Sequence, residues 1–311
     1  MVLSQLESEA NLWKVHDGPD GLGGSGDLHG LVMTYVDDLF VVGSSWVVEA
    51  VLQKVRETWK TSPPEKIGGA PTRFLGMEVR KLKEEPKGRE VWYISQEGYI
   101  KELLQKEEGG VKPRRVPITK DQAVMEEEEQ KDQKEATEGE IKRAQRSVGE
   151  MLWLVTRSRP DLMYAVSRMS SSITRAPSRV QEVASQVKGF LQATSDEGLR
   201  FGGGSIQEGI ELVVYVDASF APYSEESHGC LIVFVNQAPV FWRSGRQSLI
   251  TLSTAEAEMT EIIEGMAAGE AVGVLVEELL PGVVKKVFSD SQSAVMIVGS
   301  EGGAWRTRHL R

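Results

Sequence analysis

Cysteine is nearly missing from this chain: one residue in 311. A single thiol excludes an internal disulfide framework and a cysteine-built zinc site. Cys230, set between Gly229 and Leu231, reads as a small core residue. Long apolar runs are missing too. No window approaches the roughly 18 consecutive apolar residues of a membrane span, and residues 1–11 lack the basic-then-apolar layout of a signal peptide. The expectation is an intracellular protein, cytoplasmic or nuclear, with no membrane partner. Positive charge is also short, with a formal net charge of −10, where nucleic-acid binders usually carry a basic excess. Much of that deficit is local. Residues 121–140 hold nine acids and two lysines, and the remainder carries 37 acids against 34 bases. A run such as Glu126 to Glu129 reads as a solvated surface insertion.

What is present is enough for about two domains. Gly21-Leu22-Gly23-Gly24-Ser25-Gly26 fits the dinucleotide pattern formally, but no buried strand precedes it and no helix opens after it, so the fit is accidental. From Leu31 two apolar strands flank Asp37-Asp38, a hairpin with carboxylates at its tip. Helical spacing over residues 46–59 ends at the breaker Ser62-Pro63-Pro64. Strands follow at 72–80 and 90–95, then helices at 96–106, 141–155, 160–173 and 179–193. Gly202-Gly203-Gly204 sets a boundary near 205. Beyond it come a strand at 212–216, a hairpin turning at Asn236-Gln237, helices from 254 and over 269–280, a strand at 283–288 and a helix from 291. Strands alternating with helices make this last third α/β, and the whole chain a combination of α/β and α+β.

In the last third two strands run into an acid, Tyr215-Val216-Asp217 and Phe288-Ser289-Asp290. Ligands of α/β sheets gather at the carboxyl ends of strands, which would bring both acids to one site. Taken singly, each also reads as a loop or capping residue, Asp290 as the cap of the next helix. The helix between them offers Glu256 and Glu258, at opposite edges of its apolar stripe. Ser253-Thr254-Ala255-Glu256 is a capping box that occupies Glu256, which leaves Glu258 for a site. Three converging carboxylates repel one another unless a divalent cation offsets them, and an all-oxygen set favours magnesium or manganese. The chemistry implied is phosphoryl transfer, where two metals about 3.5–4 Å apart activate water and stabilise the leaving oxygen.

These residues resemble a known family. Tyr35-Val36-Asp37-Asp38 is similar to the YxDD box of reverse transcriptases. The segments that follow, Phe74-Leu75-Gly76-Met77-Glu78, Ser95-Gln96-Glu97-Gly98-Tyr99-Ile100, Ser147-Val148-Gly149 and Arg159-Pro160-Asp161-Leu162, resemble successive blocks of copia-type retrotransposon Pol polyproteins. Tyr215-Val216-Asp217-Ala218, Leu252 to Glu258, Ser289 to Ala294 and Arg306-Thr307-Arg308-His309 resemble the ribonuclease H blocks of that family. The resemblance covers residues 10–311 in order. It implies a partial palm entry with a Gly-rich loop (1–30), a palm hairpin and thumb-like region (31–120), an acidic insertion (121–140), a helical connection (141–204) and an RNase H-like mixed-sheet domain (205–311).

By the same resemblance Asp37 and Asp38 are metal-binding aspartates of the polymerase palm, and Asp217, Glu258 and Asp290 are ribonuclease H metal ligands for Mg2+ or Mn2+. Implied partners are RNA–DNA hybrid, template–primer nucleic acid and the remaining Pol segments. The family places a further palm aspartate well before the YxDD box and a fourth ribonuclease acid in a later segment. With 36 residues ahead of Asp37 and an end at Arg311, the expectation is a fragment incomplete for polymerase activity that hydrolyses RNA in hybrids. Its rival is an inactive relic that binds nucleic acid or protein.

Overall fold

The computed structural model describes residues 2–16, 28–84, 88–107, 109–123, 136–202, 209–220 and 227–299. The glycine pattern at 21–26, Glu126 to Glu129 and the segment Arg306 to His309 lie outside them. Among the described residues the chain is a mixed α/β protein with three four-stranded sheets and eight α-helices.

The first sheet is an antiparallel meander of β1 (Val2–Gln5), β2 (Leu12–His16), β3 (Leu28–Tyr35) and β4 (Asp38–Gly43), in that order. Its first two strands come from residues in which the sequence reading places none. Helix α1 (Ser45–Thr58) lays Val47 and Val51 on Val15 and Val32. The close approach depends on a cross-strand glycine pair, Gly30 opposite Gly43. A Cβ on Gly30 would lie 2.5 Å from the Val42 carbonyl oxygen and 3.0 Å from Val47. The hairpin strands are less buried than their apolar composition suggests: Tyr35 and Val42 are exposed.

The second sheet joins β5 (Thr72–Phe74), β6 (Met77–Glu84), β7 (Arg89–Ser95) and the distant β8 (Leu199–Phe201). The single strand expected over 72–80 is broken by a turn in which Leu75 and Gly76 take positive φ. Beneath Gly76 lies Trp153, 2.7 Å from where a Cβ would stand. Helices α2 (Glu97–Gln105), α3 (Lys120–Ala123), α4 (Glu138–Val155), α5 (Met163–Ser170) and α6 (Pro177–Ala193) follow. Ile100, Met151, Leu154, Met169 and Val187 are fully buried in their shared core. Helix α4 opens on a reciprocal cap between Thr137 and Glu140. The expected helix at 160–173 divides into a 3-10 turn, Pro160–Leu162, and α5. Ahead of the turn, buried Arg159 holds Asp161 with two bonds of 2.9 and 2.7 Å and also reaches the Thr194 carbonyl.

The third sheet has the order β11-β10-β9-β12, from β9 (Ile210–Ser219), β10 (His228–Val235), β11 (Ala238–Arg246) and β12 (Val283–Phe288). Strands β9 to β11 are antiparallel, and β12 runs parallel to β9. Asn236 and Gln237, both at positive φ, make the two-residue turn between β10 and β11. One helix, α7 (Thr254–Leu279), crosses the sheet, and α8 (Gln292–Gly299) follows β12. The sequence reading splits α7 at Gly269; the structure keeps it whole. Gly265, Gly269 and Gly273 recur every four residues, so they share one face. Cβ atoms there would come within 2.4 Å of Val216, 2.8 Å of Val214 and 2.5 Å of Lys285. The glycines let the helix sit low on the sheet and do not end it.

Contacts at several places join this third layer to the rest. The Glu278 carboxylate near the end of α7 accepts from the Glu7 and Ser8 amides at 2.7 and 3.0 Å. The Trp242 indole on β11 donates to the Val155 carbonyl at the end of α4. No described helix is long and apolar enough to cross a membrane.

Candidate metal centre

The three acids singled out in the last third converge. One carboxylate oxygen each from Asp217, Glu258 and Asp290 lie within 4.8 Å of one another. Asp217 does not end its strand as the sequence reading has it: β9 continues to Ser219. Asp290 stands two residues past β12. Because β12 pairs with β9 in parallel, Phe288 opposite Tyr215, both acids occupy the same level, two residues beyond paired aromatic rings. Those rings stack at 5.4 Å with 21° between their planes.

Glu258 comes from the first turns of α7. The helix is capped by Ser253, whose hydroxyl accepts from the Glu256 amide at 3.3 Å. Glu256 reaches back to the Leu252 amide at 2.6 Å, one residue before the cap and not to the cap residue itself. Its carboxylate is thereby engaged, and Glu258 points to the two aspartates. Asp290 is not the cap of α8: the Ser291 hydroxyl accepts from the Ala294 amide at 3.3 Å and takes that role. Both competing capping explanations are thus accounted for by neighbours.

Glu258 is 5% exposed. The Ala218 backbone hydrogen-bonds it, yet its Oε2 is buried with no hydrogen-bond partner. Burial pushes its pKa up to about 7, and the Asp217 and Asp290 charges push the same way. A buried acceptor without a donor costs about 1–3 kcal/mol, so the site holds a carboxylate whose charge and lone pairs await compensation. One turn along α7, Glu261 is fully buried. It accepts from the Gln247 side-chain amide at 3.2 Å and from Arg243 at 3.3 Å. Sequence reasoning missed it. Its spacing of three from Glu258 puts both on one helical side, and Gly229, whose Cβ would overlap its carboxylate, makes the room. Arg243 also pairs with Glu264, at 3.2 Å.

Asp37 and Asp38 sit at the tip of the β3–β4 hairpin, with Val36 at φ 52° and Tyr35 opposite Asp38. Both are exposed. Among the described residues no third acid, histidine or cysteine joins them in a cluster. Among the described residues the structure brings together the three acids of the last third and gathers no comparable cluster on the hairpin. Compared with known proteins, the chain matches no family model, no curated protein and no solved structure.

Proposed function

We propose that this chain is a retroelement-type protein that hydrolyses the RNA strand of RNA–DNA hybrids, through an RNase H-like domain built on β9 to β12, α7 and α8. Residues 31–204 are on this reading the palm hairpin, thumb-like and connection regions of a reverse transcriptase. The observation that carries the proposal is the convergence of Asp217 on β9, Asp290 just past the parallel strand β12 and Glu258 on α7.

The residues fit a hard divalent cation. All donors are oxygens, which suits magnesium or manganese, and the orphaned Glu258 Oε2 is a ligand position that needs one. Asp217, Glu258 and Asp290 would hold it. Bound there, the metal would activate water and stabilise the leaving oxygen at a phosphodiester. The protein's part is placement: the parallel register fixes the two aspartates, and the Ala218 backbone orients Glu258. Hairpin residues Asp37 and Asp38 have no third ligand among the described residues, which supports ribonuclease rather than polymerase chemistry for this chain.

The test is cleavage of a labelled RNA–DNA hybrid in Mg2+ or Mn2+ by this chain and by Asp217→Asn. Metal-dependent cutting of the RNA strand, lost in the variant by at least a hundredfold, is expected, on the order of the 10²–10³ for removing one essential electrostatic group. Equal activity of the two proteins, or none in either, refutes the assignment and leaves a binding relic as the better description.

A further inference from the structure

A cleft of about 450 Å3 opens between α5 and the face of the third sheet turned away from α7. Tyr164, Tyr215 and Trp242 line it with rings, His228 and Ser244 with polar atoms, and Asp217 with a carboxylate. Period-two alternation explains the arrangement: Tyr215 and Asp217 on β9 share a face with Trp242 and Ser244 on β11. The rings are held in place before any ligand arrives. Tyr215 stacks on Phe288 and meets Phe234 edge-on at 5.9 Å, yet it remains 51% exposed. Trp242 is fixed through its indole N–H to Val155. Tyr164 meets the His228 ring edge-on at 5.1 Å, and His228 bonds the Ser244 hydroxyl at 2.9 Å. Burial first, then Arg168 and Arg246, lower the His228 pKa to about 4, so the ring is neutral near pH 7.

We infer that this cleft receives one unpaired nucleobase of the nucleic acid whose backbone lies at Asp217, Glu258 and Asp290. A pocket that is mostly apolar with a few fixed polar groups is the usual form of a site for a planar ligand. Aromatic walls accept any base, because every base has a π-face. The distance along the strand is right for a nucleotide: Tyr215 precedes Asp217 by two residues, about 6.6–6.8 Å, the reach from a phosphate to its own base. A base inside a duplex cannot enter without leaving its stack. The site therefore selects hybrids that end in, or are interrupted by, an unpaired nucleotide. This rests on the ribonuclease reading for what lies at the three acids, and it adds where along a hybrid the chain acts.

The test uses the whole chain and two RNA–DNA hybrids, one fully paired and one with a single unpaired 2-aminopurine beyond the duplex. The expected result is quenching of the 2-aminopurine on binding and tighter binding of the second hybrid by about 5- to 150-fold, the range that stacking of one base supplies. Tyr215→Leu should collapse that ratio toward one while Tyr215→Phe preserves it. Tyr215 packs on Phe288, so Tyr164→Leu, on a separate element, repeats the test at the opposite wall. Equal affinity for the two hybrids without quenching overturns the inference. Cutting of the fully paired hybrid is scored separately: cutting without quenching removes the base site alone, and quenching without cutting removes the ribonuclease reading alone.

Discussion

Replacing Glu258 by glutamine tests the electrostatics of the triad without any substrate. In the metal-free protein the Glu258 pKa stands at about 7, raised from 4.5 by burial and by the two aspartates. A carboxyl whose folded pKa is raised binds its proton more tightly in the folded state. The cost of ionising it is therefore absent below the unfolded value of 4.5, grows as pH rises between 4.5 and 7, and is fully present above 7. A shift of that size corresponds to about 3 kcal/mol, at 1.36 kcal/mol per pKa unit. Glu258→Gln should thus stabilise the metal-free chain by on the order of 3 kcal/mol at pH 8 but by less than about 1 kcal/mol at pH 5. Urea denaturation at both pH values, followed by far-ultraviolet circular dichroism, measures it. Magnesium in excess should reverse the ranking at pH 8, since a ligand at 1,000 times its Kd stabilises the protein that binds it by about 4.1 kcal/mol. A variant equally stabilised at both pH values, or destabilised at pH 8 without metal, would show that Glu258 is not strained by its neighbours.

Two further substitutions examine the frame around the site. Gly265→Ala forces a Cβ to within 2.4 Å of Val216, on the strand that carries Asp217. It should destabilise by about 1–3 kcal/mol, as overpacking does, and a denaturation midpoint equal to that of the parent chain would contradict the close-packed helix. Thr137→Ala removes one half of the reciprocal cap on α4. A loss of about 0.5–2 kcal/mol is expected, read as faster amide hydrogen exchange in the first turn of that helix, and unaltered exchange there would refute the cap.

Legibility from sequence followed the range of the interactions. The Asn236-Gln237 turn, the strands around it and the helical stretches of residues 141–193 were readable because turn chemistry and periodicity act over a few residues. Capping separates Glu258 from Glu256 in the sequence, and the bond from Glu256 to Leu252 shows that local competition at work. Features set by distant partners were not readable. Strand β8 joins β7 across more than a hundred residues of sequence. Strands β1 and β2 are short, four and five residues, too few to display a period in the sequence. The sequence reading starts a second helix at Gly269 because the sequence does not display Val214, which would lie 2.8 Å from any Cβ at that place. Glu261 was invisible for the same reason, its room being provided by Gly229 on another strand. For the three acids, residue type and strand context foretold the cluster, while the parallel pairing that levels two of them required the fold.

Helix α7 also acts as a gauge. Glu258 and Glu278 stand twenty residues apart on it, about 30 Å at 1.5 Å per residue, and about 200° apart around the axis at 3.6 residues per turn. One carboxylate therefore faces the two aspartates while the other, on nearly the opposite side, receives the Glu7 and Ser8 amides of the first sheet. Inserting or deleting a single residue between them would turn one about 100° relative to the other, so that no rotation of the helix satisfies both. The length of this helix is constrained to the residue even along its solvent side, where the identity of the side chains is free to change.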